Sequence, residues 1–234
     1  MSGSGAPTII LEAGTGGDHR TWAALQPTLS TLTRTVSYDR LGQGSSTASK
    51  RFRSASNYVE ELREGLRKAD IGPPYVLVGH SLGGALVRLF AGRYPDEVAG
   101  IVLVDPAMEG FFRRAAVEAP QDYLDQLEED AASADASGKE ALKREFLAFE
   151  ISMQQLRLTP PPPGEKVVIL SAARIKIPDR LRAIRLDENA IWAKRVGACH
   201  IYVESGHSIH HEQPAAVIEA VKQVLAKSRR GRLQ

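Results

Sequence analysis

A single cysteine, Cys199, stands in a chain of 234 residues. One thiol excludes an internal disulfide and any metal site built from several thiolates. Its place in the apolar stretch Ala198 to Val203 suggests a small buried hydrophobe. No apolar run approaches the roughly 20 residues of a membrane span. The opening Met1-Ser2-Gly3-Ser4-Gly5-Ala6-Pro7 lacks the positive and apolar regions of a signal peptide, so a cytoplasmic protein with no membrane partner is expected. Neither sign of charge is in excess. The formal net charge is +2, and Lys227, Arg229, Arg230 and Arg232, crowded at the C-terminal end, leave the rest of the chain slightly acidic. That excludes a general nucleic-acid footprint, and the end itself reads as a solvated tail. With 25% charged and 43% hydrophobic residues the composition is that of an ordinary globule, long enough for one domain with an insertion.

Six short apolar runs recur: Thr8 to Glu12, Thr35 to Asp39, Tyr75 to Gly79, Gly100 to Asp105, Lys166 to Ala172, and Ala198 to Glu204. Most are continuous rather than alternating, as strands covered on both faces should be. Helical patterns lie between them. Asn57 with Glu60 makes a capping-box signature ahead of Val59, Leu62 and Leu66. Ala85, Leu86, Leu89 and Phe90 form a stripe that Pro95 ends, and Pro214 opens a stripe of Val217, Ile218, Val221, Val224 and Leu225. Strands alternating with helices predict an α/β fold, a doubly wound, mainly parallel sheet of about six strands.

The rhythm breaks once, over residues 107–165. Phe111, Phe112, Leu124, Leu127, Leu142, Phe146, Phe149, Met153 and Leu156 recur there at helical intervals, and Pro160 to Pro163 close the segment stiffly. The expectation is a helical lid inserted into a core domain of residues 1–106 and 166–234. The insertion carries 12 acidic and 6 basic residues, which a solvated outer face accounts for.

Gly79-His80-Ser81-Leu82-Gly83 reads G-x-S-x-G directly after the run Tyr75 to Val78 and directly before a helical pattern. In that strand-turn-helix setting a serine is lifted clear of the backbone as a nucleophile, and the small glycines permit the turn. A serine hydroxyl needs a base. Of the six histidines, His80 lies inside the turn, while His19 and His200 fall in a helix start and a strand. His207 follows the last strand, at the edge where the carboxyl ends of parallel strands open onto ligands. His210 and His211 extend it into a His-x-x-His-His cluster, but no thiolate or carboxylate accompanies them at a metal-ligand spacing. The loop Ala13-Gly14-Thr15-Gly16-Gly17 lacks the lysine and serine of a phosphate-binding loop.

Gly79-His80-Ser81-Leu82-Gly83-Gly84, Ser205-Gly206-His207, Tyr38-Asp39-Arg40-Leu41-Gly42-Gln43-Gly44-Ser45 and Leu103-Val104-Asp105-Pro106, in this order, resemble the α/β-hydrolase superfamily over nearly the whole chain. The chain departs from typical members by opening on Thr8 to Glu12, where they carry two earlier strands. The resemblance implies a serine esterase with a helical lid, needing no cofactor and no metal. Ser81 is then the nucleophile and His207 the base. The acid is sought at two places, Asp105 at the end of the fourth strand and Asp179 beyond the fifth; geometry favours Asp105, although an Asx turn before Pro106 is its rival role. Leu82 supplies one oxyanion N–H, and resemblance to the family's His-Gly-x pattern gives Thr15 the other, with Ala13 replacing the usual histidine. Asp39 to Ser45 is assigned a structural role.

The expected reaction is hydrolysis of a small to medium, uncharged, largely apolar carboxylic ester through an acyl-enzyme on Ser81. Phe111, Phe112, Phe146, Phe149 and Trp192 either line its pocket or pack the lid's own core. Thioester, lactone or carbon–carbon hydrolysis and perhydrolysis use the same groups, and a non-catalytic small-ligand receptor can share the fold. Dehalogenation and epoxide opening call for an aspartate where Ser81 stands.

Overall fold

A computed structural model describes residues 1–230. Arg232 and the side chains of Arg229 and Arg230 lie outside what is described, so the basic end is known only through exposed Lys227. Six strands form one sheet: β1 (Thr8–Glu12), β2 (Thr35–Ser37), β3 (Tyr75–His80), β4 (Val98–Val104), β5 (Val167–Ala172) and β6 (Cys199–Val203). Their order is β2-β1-β3-β4-β5-β6 and every pairing is parallel. The chain leaves β1 for β2 on one side and returns to β3 on the other, so the order reverses between β1 and β3. Ligands bind at the carboxyl ends of strands at such a reversal.

The helices are α1 (Gln26–Ser30), α2 (Ala55–Lys68), α3 (Leu82–Arg93), α4 (Glu109–Glu118), α5 (Pro120–Ala136), α6 (Glu140–Leu147), α7 (Phe149–Arg157), α8 (Asp179–Val196), α9 (Ile209–Glu212) and α10 (Pro214–Arg230). Both faces of the sheet are apolar because alternate residues of each strand feed different cores. Ile10, Leu77, Ile101, Leu103 and Ile169 pack with α2, α3 and α8 on one side. Ile9, Leu11, Val76, Val78, Val102 and Leu170 pack with α10 and with Trp22, Leu25 and Leu29 on the other.

Several sequence expectations shift. The run Thr35 to Asp39 is strand only as far as Ser37. Asp105 lies just past β4 at φ 41°, turned out of extended backbone. α2 starts at Ala55 rather than behind an Asn57 cap, and Asn57 Nδ2 instead donates to Phe52 O at 2.7 Å. The first turn of α2 is capped from outside. Ser152 Oγ and Gln155 Oε1 of α7 accept the Ala55 and Ser56 N–H groups at 2.9 and 2.8 Å. Cys199 is only half-buried, because β6 is the last strand of the sheet.

Four helices, α4 to α7, stand between β4 and β5. Phe111, Met153 and Leu156 are buried there, but Leu124 and Leu127 of α5 are 52% and 40% exposed. The acidic outer face also has an exception, since Glu145 is buried. Among the described residues no helix is long and apolar enough to cross a membrane.

Candidate active site

β3 runs straight into the elbow. Ser81 sits at φ 51°, ψ −119°, a backbone that L-residues rarely adopt and that costs about 1–3 kcal/mol wherever the surroundings enforce it. They do so through four hydrogen bonds: Ser81 N–H donates to Val104 O at 3.2 Å, and Ser81 O accepts from the Gly84, Ala107 and Ala85 N–H groups at 2.9, 3.0 and 3.4 Å. Close approach explains the flanking glycines. A Cβ on Gly79 would collide with Gly83 O, and one on Gly83 with Glu12 O. Ser81 is thus held at the carboxyl edge of the sheet, half-buried, at the head of α3.

The chain after β4 brings Asp105 to the same edge. Its side chain is fully buried, and Oδ2 stands 2.5 Å from His207 Nδ1. Oδ1 accepts the Ala172 N–H at 3.2 Å. Arg185 of α8 closes the other side, with an Nη2–Oδ2 distance of 3.1 Å and a further bond from Nη2 to Asp105 O at 2.8 Å. Burial alone would raise the Asp105 carboxyl, but the Arg185 guanidinium and the His207 N–H outweigh it and bring it down to about 2. The Asx-turn role is not realised, since the Ala107 N–H goes to Ser81 O. Asp179 opens α8 with its side chain 91% exposed, paired with Arg182 and away from His207.

His207 follows β6 and is half-buried. With Nδ1–H given to Asp105, its Nε2 is left with a free lone pair. The loop is anchored from below by His80, whose Nε2–H donates to His207 O at 3.0 Å. Burial, then the neighbouring imidazoles of His207 and His210, push His80 well below the ordinary histidine value and keep it neutral. His210 is likewise pushed down to about 3 by burial beside Trp22. Among the described residues the one grouping with metal-ligand geometry is Asp18, His19 and Asp39, remote from the His207 cluster in sequence. Its carboxylates already hold Arg20 on one side and His19 and Ser45 on the other.

The loop after β1 lies directly against the elbow: a Cβ built on Gly14 would stand 3.3 Å from Ser81 Cβ. The Gly17 N–H donates to Gly14 O at 3.1 Å, closing a turn around Thr15 and Gly16 whose third position needs the φ of 66° that glycine supplies. Among the described residues no protein acceptor is bonded to the Thr15 or Leu82 N–H. Arg40 holds the loop from behind. Its guanidinium donates to Ala13 O and Gly14 O at 2.7 and 2.6 Å and pairs with Glu12 and Glu145 at 2.7 and 3.0 Å. Glu145 of α6 also accepts the Gly16 N–H at 2.7 Å and the Tyr58 hydroxyl. Asp39 folds its own loop by accepting from Ser45 N–H and Oγ–H at 3.0 and 2.9 Å.

Sequence reasoning missed Arg185 and Glu145. Arg185 is one of three arginines, with Arg180 and Arg182, near the start of α8, and Glu145 is one acid among many in its segment. Only the fold shows which of them is buried. The aromatic side chains contact one another: Phe112 makes edge-on contacts with Phe111 and Phe149 at centroid distances of 4.9 and 4.7 Å, and Trp192 is buried under Arg88. Phe146 is half-buried.

Comparison with known proteins agrees with this architecture. The family model described as "Alpha/beta hydrolase family" matches residues 9–220. The uncharacterized protein YqjL of Bacillus subtilis is 39% identical over 106 residues, which is 45% of this chain and 42% of YqjL. The match therefore spans less than half of that relative's length. Carboxylesterase CesB of B. subtilis superposes with a TM-score of 0.64 at 19% identity, covering 96% of this chain and 85% of that one. A thermophilic esterase from Thermogutta terrifontis gives 0.62 at 20% identity, over 97% and 92%. At such identities these two structures speak to the fold. By the span of the family match, the chain belongs to the alpha/beta hydrolase family.

Proposed function

We propose that the protein is a carboxylic-ester hydrolase with a Ser81-His207-Asp105 triad beneath a lid formed by residues 107–165. The observation that carries the reading is the 2.5 Å Asp105–His207 bond at the edge of the sheet where Ser81 is held on its elbow. His207 Nε2 takes the Ser81 hydroxyl proton as Oγ attacks the ester carbonyl. The N–H groups of Leu82 and Thr15 receive the oxyanion, each contributing about 2.7–4 kcal/mol in the transition state. The proton passes to the departing alcohol, leaving an acyl group on Ser81. Water, deprotonated by His207, releases the acid and restores the serine.

The esterase names of the structural neighbours support this choice of reaction within the family. The substrate is a small to medium, uncharged ester with an apolar acyl or alcohol part. The enzyme works in the cytoplasm without a cofactor, and with neither nucleic acid nor membrane as partner.

A panel of p-nitrophenyl esters graded by acyl length tests the proposal. Ser81→Ala should lower turnover by about 10⁴- to 10⁶-fold. Sustained multiple turnovers by the parent distinguish an enzyme from a receptor that cleaves once and retains its ligand. Turnover undiminished in Ser81→Ala would sink the reading.

A further inference from the structure

Asp105 is shared between two partners, and only one of them titrates. Its Oδ2 lies 2.5 Å from His207 Nδ1 and 3.1 Å from Arg185 Nη2, while Arg185 Nε is 3.4 Å from Oδ1. We propose that Arg185 is a positioning residue that sets the working pH of the base. By competing for the Asp105 carboxylate it keeps His207 unprotonated, and so reactive, in more acidic solution than an aspartate–histidine pair alone would allow. The proposal rests on the triad reading above.

Arg185 cannot swing away. It is buried, and Nη2 also donates to Asp105 O and to Pro106 O at 2.8 and 3.4 Å. A guanidinium stays charged throughout the useful pH range. A fixed positive charge beside the bonded Asp105–His207 pair disfavours an added proton whichever partner carries it. Both groups bond the same oxygen, so the guanidinium and imidazole stand within about 6 Å; with an effective dielectric of about 20, that repulsion is worth about one to two pH units.

The other groups facing His207 do not supply this effect. His80 at the end of β3 and His210 of α9 are neutral, each pushed down chiefly by burial. Asp130 of α5 interacts with His207 in the opposite sense, as a negative charge. Glu212 bonds the neighbouring Gly206 N–H and is also negative. Arg185 is therefore the fixed cation in this environment.

The test is the pH profile of kcat/KM for p-nitrophenyl butyrate, together with the pH dependence of fluorophosphonate labelling. Both are measured on the full chain for the parent, Arg185→Gln, Arg185→Lys and Ser81→Ala. In Arg185→Gln the acid limb should move up by about one to two units, so that activity well below the limb falls about ten- to a hundredfold and recovers as the pH rises. Arg185→Lys keeps the charge and should hold the limb close to the parent's. A purely structural arginine would lower the plateau and leave the limb in place.

An unmoved or lowered limb in Arg185→Gln overturns the proposal, as does a full-unit rise in Arg185→Lys. If the glutamine variant does not fold, the equally uncharged Arg185→Met takes its place and is judged by the same criterion. Activity or labelling that survives Ser81→Ala instead overturns the triad reading itself. Loss in Ser81→Ala with an unmoved limb in the Arg185 variants overturns only the role of Arg185.

Discussion

Asp105→Asn separates charge from shape. Asparagine tolerates the left-handed backbone at φ 41° as aspartate does, so the turn after β4 survives the change. The charge does not. Arg185 would be left buried against a neutral amide, and unpairing a buried charge typically costs about 3–5 kcal/mol. For a domain of this size that is a fall in Tm of about 6–20 °C, read by calorimetry at pH 7. The amide also presents the wrong partner to His207 Nδ1, and loss of the proper tautomer costs about 10⁴-fold in kcat. The stability loss should fade in acid. Asp105 is held down to about 2 from an ordinary 3.8, so its contribution is complete above that ordinary value and vanishes as the pH falls toward 2. Parent and variant curves should draw closer over that interval. Asp179→Asn, on a side chain 91% exposed, should leave activity intact and Tm within about 2 °C. A larger activity loss from Asp179→Asn than from Asp105→Asn, or a parent-like Tm in Asp105→Asn, would refute the argument.

Two further substitutions probe the loop after β1. A Cβ on Gly14 would meet His80 Nδ1 at 2.8 Å and Ser81 Cβ at 3.3 Å, so Gly14→Ala must displace the loop. Steady-state kinetics should show kcat lowered by about 10²- to 10³-fold with KM little changed, and an unchanged kcat would mean that the loop gives no oxyanion donor. Arg40→Met leaves Glu12 and Glu145 facing each other in the interior, a loss of about 3–5 kcal/mol in urea denaturation at pH 7. The loss should shrink near pH 5, because burial already raises Glu12 above its ordinary 4.5 and protonation then relieves the repulsion; equal losses at both pH values would refute this.

The fold was legible because each strand carries apolar residues toward both faces and α2 and α10 each carry one stripe; α8, whose buried residues include Arg185 and Asn189, carries none and was not read as a helix. The Ser81 elbow was legible for a different reason, since its glycines are required by contacts within a few residues. Boundaries set by distant partners were not. α2 begins at Ala55 because α7, about a hundred residues later, provides its caps, and nothing near Asn57 signals that. Arg185 and Glu145 were hidden for the same reason, as their meaning lies in partners 80 and 105 residues away in sequence. The exposed leucines of α5 show the opposite error: a helical period was present, but no neighbour covers Leu124.

Glu145 has a bearing on how residues 107–165 are held to the core. Its carboxylate fastens α6 to Gly16 and to Arg40 in the dry interior, so this corner cannot peel away without stranding charge. On the other side α4 is moored as well, through Glu109 to Arg88 of α3 and through Arg114 to Asp187 and Glu188 of α8, so residues 107–165 are fastened to the core at two separate points.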